Sequence, residues 1–188
     1  MTERAPITPA ELIAHKGQAV GVSRWFTLDQ PLIDAFAAIT QDTYFIHTDP
    51  VRAKAETPLG GAIAHGFLTL SLLSAMAYDA LAPVAGATMG MNYGFDKIRF
   101  LSPVPAGARV RARFVVADAA FKSADELVVR YAVTVEIDGA DGAPTQKPAL
   151  AAEWLTIVFF AERLPPRGRA ATQAGATPSD GPDEPRTG

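Results

Sequence analysis

The chain has 188 residues, of which 48% are apolar and 20% charged, and its formal net charge is −3. This length is enough for one domain with a sizeable core, and the composition is ordinary for a globular protein. The small negative charge gives no reason to expect a nucleic acid or an anionic membrane as a partner. The absence of cysteine excludes disulfides, thiolate metal sites and cysteine nucleophiles.

The N-terminal region gives no sign of export. The first fifteen residues lack a continuous apolar segment, and the most apolar run, residues 62–73, is too short to cross a bilayer. We therefore expect a soluble, cytoplasmic protein.

Helices are predicted in the first half of the chain, after a short strand within residues 19–27. Asp29 and Pro31 are typical of a helix start, and apolar residues follow at helical spacing up to Thr40. Asp49, which precedes a proline, predicts the N-cap of another short helix.

The segment from Ile63 to Leu81 is apolar on every face of a helix, and before Tyr78 its polar members are only His, Thr and Ser. A helix of this kind is usually buried on all sides. The pattern therefore predicts a long central helix inside the domain.

Alternation with a period of two dominates the second half of the chain. It runs through residues 89–95, 109–116, 127–137 and 154–160, with turn sequences rich in Pro, Gly and Asp between most of these stretches. Strands joined by turns rather than by helices imply an antiparallel sheet. The expected fold is α+β: a curved antiparallel sheet wrapped around the buried helix, which is the hot-dog arrangement.

The C-terminal segment differs in composition from the rest. Residues 164–188 contain five prolines, four glycines and no aromatic residue. Such a segment cannot bury enough apolar surface to offset its ordering entropy. We therefore expect a single domain over residues 1–163 and a disordered tail over residues 164–188.

Asp42 and His47 are candidates for acid–base chemistry. Five positions apart, they would point to different sides of a continuous helix, so they can converge only if a tight loop follows Thr40. A carboxylate and an imidazole on such a loop could hold and activate a water molecule. The alternative is that Asp42 caps a helix and His47 lies on the surface.

His65 and Gly66 open the predicted central helix. The free N–H groups at a helix start could polarise a ligand carbonyl, and Gly66 would let the ligand approach. The alternative for Gly66 is close packing of the helix on the sheet. For His65, a buried core histidine is favoured over a catalytic role.

Both segments, in their order and separation, resemble the MaoC-like family, which includes (R)-specific enoyl-CoA hydratases and nodulation-protein-N-like proteins. The hydratase motif reads approximately Ser/Thr-Gly-Asp-x-Asn-Pro-Ile/Leu-His-x-Asp, followed by Ile-x-His-Gly. The matching residues are Thr40, Asp42, Ile46, His47, Asp49, Ile63, His65 and Gly66. Gln41 replaces the glycine, and Tyr44 and Phe45 replace Asn-Pro, which makes the nodulation-protein-N-like branch the nearer relative.

The resemblance implies roles for four residues. Asp42 and His47 would be the catalytic pair, and the Gly66 N–H would bind the thioester oxygen. Ser74 falls where the hydratases place a serine that contacts the active-site carboxylate; the alternative is a hydroxyl bonded to its own helix. Water held by the pair would add to the C2–C3 double bond of an enoyl thioester, and dehydration would be the reverse.

The resemblance also implies the ligands and the assembly. The substrate would be an acyl-CoA, with coenzyme A only as part of the substrate and with no bound cofactor or metal. The acyl chain would run beside the central helix toward Leu70 and Leu73. Hot-dog proteins usually pair their sheets side by side, so a homodimer is expected.

Two other functions remain possible from the sequence. A hot-dog thioesterase often carries an acidic residue in its central helix, but residues 63–78 contain none. A protein that binds acyl thioesters without catalysis is the other alternative. Five basic residues could either face solvent or meet coenzyme A phosphates: Lys97, Arg99, Arg109, Arg111 and Arg113.

Overall fold

The computed structural model of the chain describes residues 4–139 and 143–161. The expected tail over residues 164–188 lies outside the described residues. The helices are α1 Pro9–Ala14, α2 Gln30–Thr40, α3 Phe45–Thr48, α4 Pro50–Glu56, α5 Gly66–Ser71 and α6 Leu73–Ala80. The strands are β1 Ala19–Val22, β2 Phe26–Thr27, β3 Ala87–Phe100, β4 Arg109–Phe121, β5 Glu126–Ile137 and β6 Leu150–Phe160.

Two aspartates begin helices where the sequence predicts it. The Asp29 carboxylate accepts a hydrogen bond from the backbone N–H of Leu32 at 3.0 Å, at the start of α2. The Asp49 carboxylate accepts one from the N–H of Arg52 at 2.9 Å, at the start of α4. Both bonds satisfy an N–H that has no partner inside its helix.

The strands form one antiparallel sheet in the order β1-β4-β5-β6-β3, and β2 pairs with the same β4 strand as β1. The predicted strand within residues 19–27 is therefore split into β1 and β2. Ser23, between them, accepts a hydrogen bond from the N–H of Ala112 through its hydroxyl at 3.0 Å. The α+β hot-dog fold, with its antiparallel sheet, is confirmed.

The core lies between one face of the sheet and the helices. Alternate residues of β4 and β5 are buried, as the period of two predicts. Phe114 of β4 is fully buried, and its ring lies 6.1 Å from that of Tyr131 and 6.3 Å from that of Trp154. Leu73 and Met76 of α6 contribute to the same core from the helix side.

The central helix differs from the prediction in two ways. Leu72, with ψ −11°, separates α5 from α6, so the helix is not continuous. Phe67 is 65% exposed and Tyr78 is 76% exposed, so the helix is not buried on all sides. The sheet of a single chain covers one side of the helix, and the sequence pattern does not tell what covers the other side.

A glycine brings the end of this helix against the sheet. A Cβ atom at Gly21 of β1 would collide with the backbone carbonyl of Ala80, the last residue of α6. Because glycine lacks that atom, the two backbones can approach closely.

The β3 strand is exposed along most of its length. It pairs with β6 on one edge, and no strand among the described residues pairs with its other edge. Met89, Met91 and Tyr93 are each about half exposed. The alternation of this strand therefore does not correspond to one buried face within the chain.

Among the described residues, no helix combines the length and apolar character needed to cross a bilayer.

Candidate active site

The segment that carries Asp42 begins with an abrupt turn. The α2 helix ends at Thr40, and Gln41 adopts a left-handed conformation with φ 61°. This conformation is unfavourable for residues other than glycine. Residues 42–44 have no regular secondary structure before α3 begins at Phe45. The tight loop required for convergence of Asp42 and His47 is present.

The side chains of Asp42, His47 and His65 come together at this loop. One ligand atom from each residue lies within 4.8 Å of those of the other two. His47 is 9% exposed, so it is not a surface residue. Asp42 caps no helix of the described chain, since the N-cap of α3 is Tyr44. The geometry therefore places the two predicted residues where they can act together.

The hydrogen bonds of His47 determine which of its nitrogens is free. Its Nδ1 lies 2.7 Å from the backbone carbonyl of Ile63, and because a carbonyl only accepts, Nδ1 carries the hydrogen. The Nε2 atom of the neutral ring is then an acceptor. Burial lowers the pKa of the His47 imidazole, which favours this neutral form near pH 7.

Backbone bonds hold α3 against its neighbours. The N–H of Ile63 donates to the carbonyl of Ile46 at 3.0 Å, so Ile63 is bonded to α3 through both its N–H and its carbonyl. From α2, the side-chain amide of Gln30 donates a hydrogen bond to the backbone carbonyl of His47 at 2.7 Å. His47 is therefore fixed from two directions.

An aromatic pair stands where the hydratase motif has Asn-Pro. The rings of Tyr44 and Phe45 meet edge to face with centroids 4.9 Å apart. The guanidinium of Arg52, from α4, lies 4.1 Å above the Phe45 ring and pairs with Glu56. These contacts tie the start of α3 to α4.

A mostly apolar pocket of about 350 Å³ borders His47. His47, Gly66, Phe67 and Phe100 contribute to its wall, together with residues of the 101–104 segment. Phe67 lines the pocket, whereas Leu70 and Leu73, toward which the acyl chain is expected to run, are not part of its wall. Leu73 is 2% exposed and belongs to the core.

Gly66 is compatible with both roles considered for it. A Cβ at this position would lie 2.9 Å from the ring of Phe100, so the glycine does permit close packing. The N-cap of α5, His65, forms no side-chain cap. The N–H of Gly66, a residue of the pocket wall, is therefore not occupied by a capping side chain.

Ser74 is not brought to the Asp42–His47 pair within this chain. It lies on α6, where its hydroxyl accepts a weak hydrogen bond from the Asn92 amide at 3.4 Å. The serine expected to contact the carboxylate thus has a different neighbour, on β3.

The cluster of Asp42, His47 and His65 also has the composition of a metal site, but its geometry does not suit one. The two imidazole rings are stacked, with centroids 3.8 Å apart and planes tilted by 25°. A metal ion lies in the plane of each imidazole that binds it, about 2.0–2.1 Å from the nitrogen. The planes of two rings stacked in this way intersect much farther from the ring nitrogens than that, so one ion cannot lie in both planes at bonding distance.

Most of the candidate basic residues have acidic partners. Arg109 bonds Asp138, which directly follows β5, and Arg111 and Arg113 both bond Glu136, at 2.7 and 3.2 Å. Similarly, Lys97 pairs with Glu153, and Arg99 donates to the backbone carbonyl of Ile98. This favours the solvent-facing alternative for the arginine stripe.

Two residues of the site were not predicted for it. Phe100 forms part of the pocket, although it lies outside the alternating stretches recognised in the sequence. His65 is buried, as favoured, but its ring also contacts both Asp42 and His47. Its position beside Gly66 in the Ile-x-His-Gly segment was the available signal.

Comparison with known proteins agrees with this architecture. The family model described as "MaoC like domain" matches residues 12–137. Nodulation protein N of Rhizobium leguminosarum bv. viciae is 49% identical over 159 residues, which cover 85% of this chain and 96% of that protein. The 3-hydroxyacyl-thioester dehydratase Z of Mycobacterium tuberculosis is 40% identical over 144 residues, covering 77% and 91% of the two chains.

Among solved structures, an unliganded (R)-hydratase of Pseudomonas aeruginosa superposes with a TM-score of 0.55 at 23% identity, covering 81% of this chain and 91% of that one. This similarity concerns the fold. The family-model match and the two relatives together show that the chain belongs to the MaoC-like dehydratase family.

Proposed function

We propose that the protein adds water to the C2–C3 double bond of 2-enoyl-CoA thioesters and catalyses the reverse dehydration of 3-hydroxyacyl-CoA. The observation that carries this proposal is the convergence of the Asp42 carboxylate and the His47 imidazole beside an apolar pocket. A hydro-lyase needs a group that moves a proton, a place for the acyl chain and a donor for the thioester oxygen.

The Asp42–His47 pair supplies the proton transfer. Water held between the carboxylate and Nε2 of His47 loses a proton to the pair as its oxygen bonds to C3. A proton is then delivered to C2, and in dehydration the same transfers run backwards. No bound cofactor is required by this scheme.

The pocket supplies the acyl and carbonyl sites. Its apolar wall suits a hydrocarbon chain, and burial of that chain would contribute about 0.8 kcal/mol per methylene. Gly66 lies in the same wall at the start of α5. Its N–H would donate to the thioester oxygen and stabilise the negative charge that develops there.

One relative supports this reaction class. The mycobacterial protein at 40% identity is named a 3-hydroxyacyl-thioester dehydratase. The name of the more similar nodulation protein N states no reaction.

Replacement of the pair is the direct test. Asp42→Asn and His47→Ala should each lower kcat/KM for a 2-enoyl-CoA panel at least about a hundredfold, a usual scale for losing an acid–base group. Asp49→Asn is the matched control, because asparagine caps a helix as well as aspartate and this carboxylate lies outside the pair. Near-wild-type activity of either site variant would refute the assignment.

The same panel separates the alternatives. A thioesterase would release free thiol, and a binding protein would bind the esters without turnover. The structure gives little support for a thioesterase, because the acidic residue of α6, Asp79, is already paired. Its carboxylate accepts a hydrogen bond from the backbone N–H of Arg24 at 2.6 Å and lies 3.7 Å from the Arg24 guanidinium.

We further propose that two copies form a homodimer through β3, in the cytoplasm. The free edge of this strand and its half-exposed apolar residues form a surface of the kind that proteins usually cover. Phe67 and Tyr78 of the central helix add exposed apolar area.

Light scattering after size exclusion should give twice the 19.9 kDa mass of one chain. Met91→Lys places a charge on the exposed strand and should shift the protein toward monomer. Ile39→Lys, at an 82% exposed position on α2, should remain dimeric. A wild-type monomer at micromolar concentration would refute the dimer.

A further inference from the structure

His65 touches both members of the Asp42–His47 pair. Its Nε2 lies 2.9 Å from the backbone carbonyl oxygen of Asp42, and its ring stacks on that of His47 at 3.8 Å. The ring of Phe36 lies 5.1 Å away in a tilted contact. The imidazole is 2% exposed, so its orientation is set by these neighbours.

The direction of the hydrogen bond fixes the tautomer of His65. A carbonyl oxygen only accepts, so Nε2 carries the hydrogen and donates it to Asp42. The Nδ1 atom is buried and has no hydrogen-bond partner within the described part of the chain. Leaving a buried polar atom without a hydrogen-bond partner is unfavourable. An apolar side chain would avoid this cost, so packing alone does not account for a histidine here.

The hydrogen bond from His65 holds a part of the site that no regular secondary structure supports. Gln41 follows the end of α2, and Asp42 belongs to no helix or strand whose backbone hydrogen bonds would hold it. The Nε2–H of His65 fixes the Asp42 carbonyl, while its ring bounds one face of the His47 imidazole. The Ile63 carbonyl fixes the edge of that imidazole.

We propose that His65 is a positioning residue that holds the Asp42 backbone and the His47 ring in the geometry needed for hydration. This rests on the proposed function for the reaction, but the positioning itself concerns residues of this chain only. His65 touches neither the reacting atoms nor the water in this scheme.

Variants of equal polarity and different reach provide the test. In His65→Gln the amide N–H can extend to the place of Nε2, whereas in His65→Asn it is too short. We expect kcat to fall at least about tenfold in His65→Asn and in His65→Phe, with KM nearly unchanged, since small misplacements of reacting groups cost rate. His65→Gln should recover most of kcat. His15→Gln, outside the site, is the matched control.

Equal losses in His65→Gln and His65→Asn, or wild-type kcat in both, would overturn the proposal. If His65→Phe fails to fold, the Gln–Asn comparison still decides. Melting temperatures measured alongside would identify a purely structural effect, since that lowers the melting temperature in step with activity in every variant.

The failure of the proposed function would be recognised separately. Asp42→Asn and His47→Ala in the same assay report on the reaction itself. If the wild type shows no hydration, amide hydrogen exchange at residues 41–45 decides the positioning role. Faster exchange in His65→Asn than in His65→Gln supports it, and equal exchange in the two refutes it.

Discussion

The segment from Gln41 to Thr48 and the β4–β5 pair are held together by different forces. The strands share an antiparallel ladder along most of their length and bury alternate side chains, among them Phe114 at 0% exposure. The site segment depends on a few directional bonds, from Gln30, His65 and the Ile63 backbone. Replacement of a core residue should therefore lower stability and leave the reaction rate nearly unchanged. Replacement of a site residue should lower the reaction rate and have little effect on stability.

The largest effect on stability is expected in the sheet. Phe114→Ala should lower the free energy of unfolding by about 3–5 kcal/mol, because it leaves a cavity between β4, β5 and β6. Urea denaturation measures this change, and kcat of the folded variant should stay close to that of the wild type. Phe121→Ala, at a 49% exposed position of the same strand, is the matched control and should cost far less. A large loss of kcat in Phe114→Ala would show that the two regions are coupled.

The pH dependence of kcat/KM tests the environment of His47 in the site segment. Burial lowers the pKa of His47 below its ordinary value of 6.5, so the neutral base persists to lower pH. We expect kcat/KM to fall on the acidic side with a midpoint below 6.5, about tenfold per pH unit beyond it. The profile should be the same in His15→Gln. A midpoint at or above 6.5 would contradict this environment for His47.

The same shift has a consequence for stability. Between the lowered folded pKa and the ordinary unfolded value, the unfolded chain binds more protons at this residue. Stability therefore rises with pH in that window and is lost as the pH falls below about 6.5. His47→Ala should make the pH dependence of unfolding less steep over the same interval.

The smallest effect is expected at the turn into the site. Gln41 has a positive φ of 61°, so Gln41→Gly should raise the free energy of unfolding by up to about 1 kcal/mol. Gln18→Gly, at an exposed position without a positive φ, should instead lower it slightly. Thermal denaturation of the two variants compares them. A destabilised Gln41→Gly would show that the glutamine side chain contributes more than its backbone conformation costs.

Local signals predicted much of the fold from the sequence. Asp29 and Asp49 cap helices because their carboxylates reach N–H groups three residues ahead, which depends on neighbouring residues alone. The alternation of β4 and β5 was equally informative. The exposure of β3 could not be predicted, because alternation indicates a strand but does not say whether another element of the same chain covers it.

The candidate site was predictable in its members but not in its contacts. Asp42 and His47 were found from their motif, and the loop that joins them was required by their spacing. The hydrogen bond from His65 to the Asp42 backbone could not be predicted, because every residue has a backbone carbonyl and the residue type of the acceptor therefore carries no signal. Ser74 was assigned by its position in a motif, and its hydroxyl instead accepts a hydrogen bond from the amide of Asn92 on β3.

The contact between Gly66 and Phe100 links two distant positions of the sequence. A side chain larger than hydrogen at residue 66 requires the Phe100 ring to move, and that ring forms part of the pocket wall. The two positions should consequently be inherited together: homologues with alanine at the first are expected to carry a smaller residue at the second. Engineering of the pocket by exchange at residue 100 would in turn relax the requirement for glycine at residue 66.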